Sequence, residues 1–167
     1  QVDLADEPSE EPVRYQSQYW GAGLNGVIAT DMKYYAEFVY ETGTSYLSGA
    51  DRKEDVRAHA GQFGINWFFS TIFRPALVLQ YAYGTGDADR TDNRNPTGNT
   101  SGGDNGFLYF GTFNGGYGLR PVLANIHIYR AGIGLSPFSW SRYRTLRRIQ
   151  IIGKYSYYVK YESAGVI

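Results

Sequence analysis

The sequence predicts an all-β chain: an antiparallel up-and-down transmembrane β-barrel, or a multi-strand segment of one. Three observations carry that expectation. Apolar and polar residues alternate with period two over several segments. Several segments reach the roughly 9–11 residues that a tilted strand needs to cross a bilayer. Short connections alternate with long ones, as periplasmic turns and extracellular loops do in outer-membrane barrels.

Composition agrees. The 167 residues include 16 Tyr, 9 Phe, 3 Trp and 21 Gly, with one Met, a mixture suited to strands and tight turns rather than helices. Mean hydropathy is −0.40 despite the aromatics, because only every second residue of a lipid-facing strand has to be apolar. No apolar run is long enough for a transmembrane helix. The absence of cysteine excludes thiol catalysis, thiolate zinc sites and disulfides. Zero formal net charge supplies no global field to recruit nucleic acid. No signal peptide is visible, and the chain opens on Gln1 and an acidic stretch, which suggests a mature or excised product.

Residues 1–13 are acidic, Pro-containing and aperiodic, a loop or disordered lead-in. In 14–29, Trp20, Ala22, Leu24 and Ile28 share one face, opposite Tyr19, Gly21, Gly23 and Asn25. In 32–42, Met32, Tyr34, Ala36, Phe38 and Tyr40 oppose Lys33, Tyr35, Glu37, Val39 and Glu41. In 55–70, Phe63, Ile65, Trp67 and Phe69 oppose Gln62, Gly64, Asn66 and Ser70. In 74–84, Leu77, Leu79, Tyr81 and Tyr83 oppose Ala76, Val78, Gln80, Ala82 and Gly84. The fifth segment, 124–135, is ambiguous in facing, because His127 and Arg130 have opposite parity. The sixth, 145–161, sets Ile149, Ile151, Tyr155, Tyr157, Val159 and Tyr161 against Arg148, Gln150, Lys154, Ser156 and Lys160.

The connections read as a tight turn at Thr30-Asp31, a longer GTSYLSGADRKE, a short TIF, a long extracellular loop at about 85–123, and an intermediate PFSWSRYR. Weak extra strands are conceivable in 101–118. With long loops outside, strand one begins outside and strand six ends there. Six strands are fewer than the roughly eight that close a barrel, so 1–167 is expected to be an internal piece of a larger one.

In a barrel, selectivity resides in lumen-facing charge. The candidates are Lys33, Glu37, Glu41, Gln62, Asn66, Gln80, Arg130, Arg148, Gln150, Lys154 and Lys160. The bland alternative is a solvated wall with cross-strand pairs. Arg142, Arg144, Arg147 and Arg148 cluster near the expected periplasmic turn. Asp87, Asp89 and Asp92 are weak calcium candidates, but their spacing does not follow the EF-hand order, and a solvated loop is the default. His59 and His127 lack any evident nucleophile or acidic partner, so hydrogen bonding at the rim or lumen is expected rather than catalysis. Tyr19, Trp20, Trp67, Tyr81, Tyr83, Trp140 and Tyr161 lie near strand ends, where interfacial aromatic girdles belong.

Four stretches together resemble the alginate-export family of outer-membrane barrels: YAYGTGDAD at 81–89, FLYFGTFNGGYGLRP at 107–121, LANIHIYRAGIGLSPF at 123–138 and KYSYYVKY at 154–161. They span about the second half of the chain, and the resemblance weakens before residue 32. It implies a wide monomeric barrel that exports an anionic polysaccharide through a basic lumen. The expectation is therefore a bacterial outer-membrane channel for a hydrophilic solute, with no enzymatic activity and no cofactor. Its surroundings would be outer-membrane lipid and lipopolysaccharide, with a polysaccharide substrate and periplasmic export partners. A structural barrel enclosing a partner is the alternative.

Overall fold

The computed structural model describes residues 15–46, 53–109, 113 and 121–167; the acidic lead-in at 1–13 lies outside them. Among the described residues, six antiparallel strands form one sheet in sequence order. They are β1 (Gln16–Ala29), β2 (Met32–Tyr46), β3 (Lys53–Phe68), β4 (Ala76–Gly84), β5 (Ile126–Leu135) and β6 (Ile151–Lys160). One short helix, α1 (Arg144–Arg147), precedes β6. β1 and β6 are the two edges of this sheet among the described residues. No helix is long and apolar enough to cross a membrane among the described residues.

The registers place the alternating residues in continuous ranks across the sheet. One rank runs Ala36, Phe63, Tyr81, Tyr129, Tyr157; the next runs Tyr34, Ile65, Leu79, Ala131, Tyr155. These form the outer face. It leaves large apolar groups uncovered, with Trp20 66%, Ile151 60% and Tyr155 69% exposed. A water-soluble surface does not carry apolar area on this scale, whereas lipid covers it without cost. The opposite, inner rank runs Glu37, Gln62, Ala82, Ile128, Tyr158. The pairing settles the ambiguity of β5: Arg130 lies in register with Gln80 and Ser156 on the inner face, and His127 faces outward beside Tyr83.

Two expectations are corrected by strand length. Half of the stretch drawn as the second connection belongs to strands, since β2 continues to Tyr46 and β3 begins at Lys53. Polar Thr42, Thr44 and Ser45 gave no apolar alternation to follow. The short-long rhythm therefore reduces to one long loop, 85–125, because connections 69–75 and 136–150 are longer than 47–52. The sixth strand is shorter than predicted. Residues 144–147 are helical and Arg148 caps that helix, so period-two facing does not extend back to Arg148 and it is no wall residue. Of the extra strands considered in 101–118, the described residues show only an isolated bridge from Asp104 to Val56.

The buried apolar core lies on the inner face, at the end where the long loop emerges. Val56, Ala58 and Ala60 on β3, Ala82 on β4, and Ile126 and Ile128 on β5 are covered by Phe107, Leu108, Phe113 and Leu123 of the loop. The loop packs back on the inner wall instead of standing in solvent. At the opposite, turn end the same face is open.

Candidate functional site: the inner face and its two ends

At the turn end a cavity of about 1050 Å³ opens on the inner face. Its strand lining includes the small residues Ala76, Gly132 and Gly134 beside the larger Phe68, Val78 and Ile152. Its charged and amide lining is Asn66, Arg74, Arg147, Gln150 and Lys154, with Ser70, Thr71, Ser136 and Ser139 beside them, and among the described residues no acid lines it. Three of these, Asn66, Gln150 and Lys154, are predicted lumen candidates, and the structure brings them together. Each cation arrives from a different element: Lys154 from β6, Arg147 from α1, and Arg74 from the β3–β4 turn. That turn is held by the Arg74 N–H donating to the Thr71 carbonyl, 2.8 Å, with Arg74 at φ 44° ahead of Pro75. A positive φ is uncommon for a residue other than glycine, and it marks this turn as a tight one. Sequence reasoning missed Arg74; the Arg-Pro pair at a strand start was its only signal.

Along the middle of the inner face the polar candidates pair across strands. Gln62 donates to Glu37 Oε2 at 2.8 Å. Arg130 donates to Gln80 Oε1 at 2.9 Å and to Ser156 Oγ at 3.1 Å, and its guanidinium lies 5.7 Å from the Phe113 ring centroid. Arg130 is only 7% exposed, so it braces β4, β5 and β6 under the loop rather than facing an open lumen. Gly64 leaves room here for the Tyr35 ring, which would have to move if a Cβ were present, since that Cβ would sit 2.3 Å from it. Lys33 stays exposed near the turn end, its ammonium 6.0 Å from the Phe68 ring centroid.

At the loop end, Glu41 is fully buried and is an anchor, not a free selectivity charge. Its Oε1 accepts from the hydroxyls of Tyr15 and Tyr19, the latter at 2.7 Å. Its Oε2 accepts the Leu108 N–H at 2.9 Å, which ties the loop to the wall. Tyr19 thereby belongs to the inner face and not to an outer girdle; its hydroxyl also lies 3.0 Å from the Leu108 carbonyl. Parity alone allotted both to the lumen side, but it carried no information on what would cover them.

The loop has its own buried ion pair. Arg90 donates to Asp104 Oδ2 at 2.5 Å, with both side chains almost fully buried, and to the carbonyls of Asn95 and Asp92. Burial pushes the Asp104 carboxyl above the ordinary carboxylate range, against the opposing pull of Arg90. The calcium candidates are engaged otherwise. Asp87 accepts from the N–H groups of Asp89 and Asn105, and Asp92 from the Arg94 N–H. Among the described residues no three acidic or histidine side chains converge as a metal site would require.

Residues after β6 fold back as well. Asn125, fully buried at φ 51°, donates to the carbonyls of Glu162 and Val166 at 3.1 and 2.8 Å and accepts the Glu162 N–H at 2.6 Å. Lys160, a predicted lumen cation, donates to the Ser163 and Gly165 carbonyls and serves the same clasp.

Both histidines sit on the outer face near the loop end. His127 Nδ1 is 2.9 Å from the Tyr81 hydroxyl, and its ring stacks on Tyr83 and Tyr161. His59 packs against Phe38 and Tyr83. They belong to a rim girdle, not to the lumen. Trp67 marks the other end of the outer face, and Trp140, which borders the turn-end cavity, meets Phe73 edge to face at 5.4 Å.

No curated protein and no solved structure matches the chain. A family model described as alginate export matches residues 10–152. The match reaches well before residue 32, extending the likeness to β1 and β2, and stops short of the KYSYYVKY stretch. Its family is an outer-membrane export family, a transport family rather than an enzyme family. Covering most of the sequence, and agreeing with a meander sheet that is apolar outside and polar within, the match establishes that this chain belongs to the alginate-export family.

Proposed function

We propose that the chain forms part of the wall, the turn-end mouth and an inward-folded loop of an outer-membrane channel that passes an anionic polysaccharide outward. The observation that carries this is the turn-end cavity, where Arg74, Arg147 and Lys154 converge with Asn66 and Gln150 and, among the described residues, no carboxylate intervenes. Cations at a pore mouth raise the local concentration of an anionic solute and favour its entry. Amide side chains beside them suit hydroxyl-rich sugar units, and the small lining residues leave room for a ring. The turn end then faces the periplasm, and the loop end, closed down by Phe107, Leu108 and Phe113, faces outward.

The test is conductance across a planar bilayer with a salt gradient. Arg74→Gln, Arg147→Gln and Lys154→Gln together should shift the reversal potential toward cations and weaken block by a soluble oligouronate applied on the turn-end side. Unchanged selectivity and unchanged block would remove this site from the pathway.

A further inference from the structure

The zero net charge conceals a strong segregation along the chain. From Asn105 to Tyr161 there are eight Lys and Arg residues and no Asp or Glu. Four of these cations, Arg142, Arg144, Arg147 and Arg148, sit in the β5–β6 connection, and all four are exposed. They make no ion pair or hydrogen bond through their guanidiniums among the described residues. Asp31 is the only acid in the described turn-end connections.

These arginines are interleaved with large apolar groups that are also uncovered. Trp140 is 57% and Tyr143 73% exposed, and Phe138, Leu146 and Ile149 are exposed beside them. The segment is not loose. The Ser136 N–H donates to the Phe73 carbonyl at 2.8 Å, Ser139 Oγ bonds the Ile72 carbonyl, and Trp140 packs on Phe73. It is therefore held at the turn end, where Trp140 and Arg147 border the inner cavity and Ile133, Leu135 and Ile151 are exposed on the neighbouring strands.

Arg147 and Trp140 line the inner cavity, but Arg142, Tyr143, Arg144 and Arg148 do not. We infer that Arg142, Arg144 and Arg148, with Trp140 and Tyr143, form a binding collar for anionic phospholipid headgroups in the leaflet that meets the turn end. Indole and phenol rings settle at headgroup depth, and a guanidinium matches a phosphate diester bidentately. Each arginine near an anionic surface contributes about a five-fold preference. Free partnerless arginines, rigidly presented among exposed aromatics, suit that occupant better than a polymer threading the inner face. The inference rests on the bilayer-spanning reading of the sheet and not on the export reading, so either can fail alone.

The experiment uses the full chain with Trp20→Phe and Trp67→Phe, which leaves Trp140 as sole reporter. The protein is folded into phosphatidylcholine bilayers containing acyl-brominated phosphatidylglycerol or, in parallel, acyl-brominated phosphatidylcholine at equal mole fraction. Brominated phosphatidylglycerol should quench Trp140 several-fold more effectively. The Arg142→Gln, Arg144→Gln, Arg148→Gln triple variant should abolish that difference while quenching by brominated phosphatidylcholine persists. Arg57→Gln, at the opposite end, should leave the preference intact. Equal quenching by the two lipids in the unsubstituted collar overturns the proposal, as does a preference that survives the triple substitution or falls equally with Arg57→Gln. Loss of the preference on adding soluble oligouronate also overturns it, and would assign these arginines to the polymer.

Discussion

Glu41 shows how one buried carboxylate joins a loop to a wall. Three donors converge on it, two tyrosine hydroxyls and the Leu108 N–H, so truncation leaves several of them without an acceptor. An unsatisfied buried donor costs about 1–3 kcal/mol. Glu41→Ala should therefore accelerate hydrogen exchange at Leu108 by about one to two decades while exchange within β4 and β5 changes little. Arg90 and Asp104 follow a different rule, because breaking one member of a buried pair strands the other charge, at about 3–5 kcal/mol. Arg90→Met should expose the loop to limited proteolysis, and adding Asp104→Leu should recover much of the loss. The effect of Arg90→Met should also lessen at acid pH. Burial already raises the Asp104 carboxyl, the folded loop then binds a proton more tightly than the unfolded one, and stability falls as pH rises through that interval. A penalty independent of pH would show that the stranded carboxylate is not its source.

Among the elements, the most informative is the clasp between Asn125, at the end of the long loop, and the segment after β6. Asn125 satisfies three backbone groups of residues 162–166 and occupies the αL region, which asparagine tolerates better than most residues. Asn125→Ala loses both properties. Cleavage after Lys160 by trypsin should become at least ten-fold faster, and cleavage after Lys154, inside β6, should not. Strand alternation announced the six strands, yet it gave no warning of this clasp. Asn125 is a single polar residue at a strand start, and its partners lie 37 and 41 positions away in the sequence. The same limit applies before β6, where the run Arg144–Arg148 fits period two and a helical turn equally well, and the structure forms the helical turn with no buried residue.

For the whole molecule, the two faces of the sheet predict opposite tolerance to charge. Leu79 sits in the middle rank of the outer face, where a charge at bilayer depth costs about 2–4 kcal/mol. Leu79→Arg should lower folding yield and stability in lipid bilayers by that order, measured by urea titration. Asn25→Arg, on the inner face and exposed, should be close to neutral. Equal losses at the two positions would contradict the assignment of outside and inside. The charge plan is also a whole-molecule property: among the described residues, cations collect at the turn end with Asp31 as the one acid in its connections, while Asp87, Asp89, Asp92 and Asp104 gather in the long loop at the other.

The sequence by itself determined the all-β class, the order and facing of most strands, and the family, because alternation and family motifs are written in local spacing. It also placed Asn66, Gln150 and Lys154 among the lumen candidates. Only the tertiary structure decided that Glu41 and Arg130 are buried beneath the long loop, that Arg148 caps a helix outside the wall, and that Arg74 joins the turn-end cavity. The physical reason is one of range. Parity tells which side of a sheet a residue takes, but burial depends on what else arrives there. The residues that cover Glu41 and Arg130, Leu108 and Phe113, come from a loop whose return to the inner face no periodicity encodes.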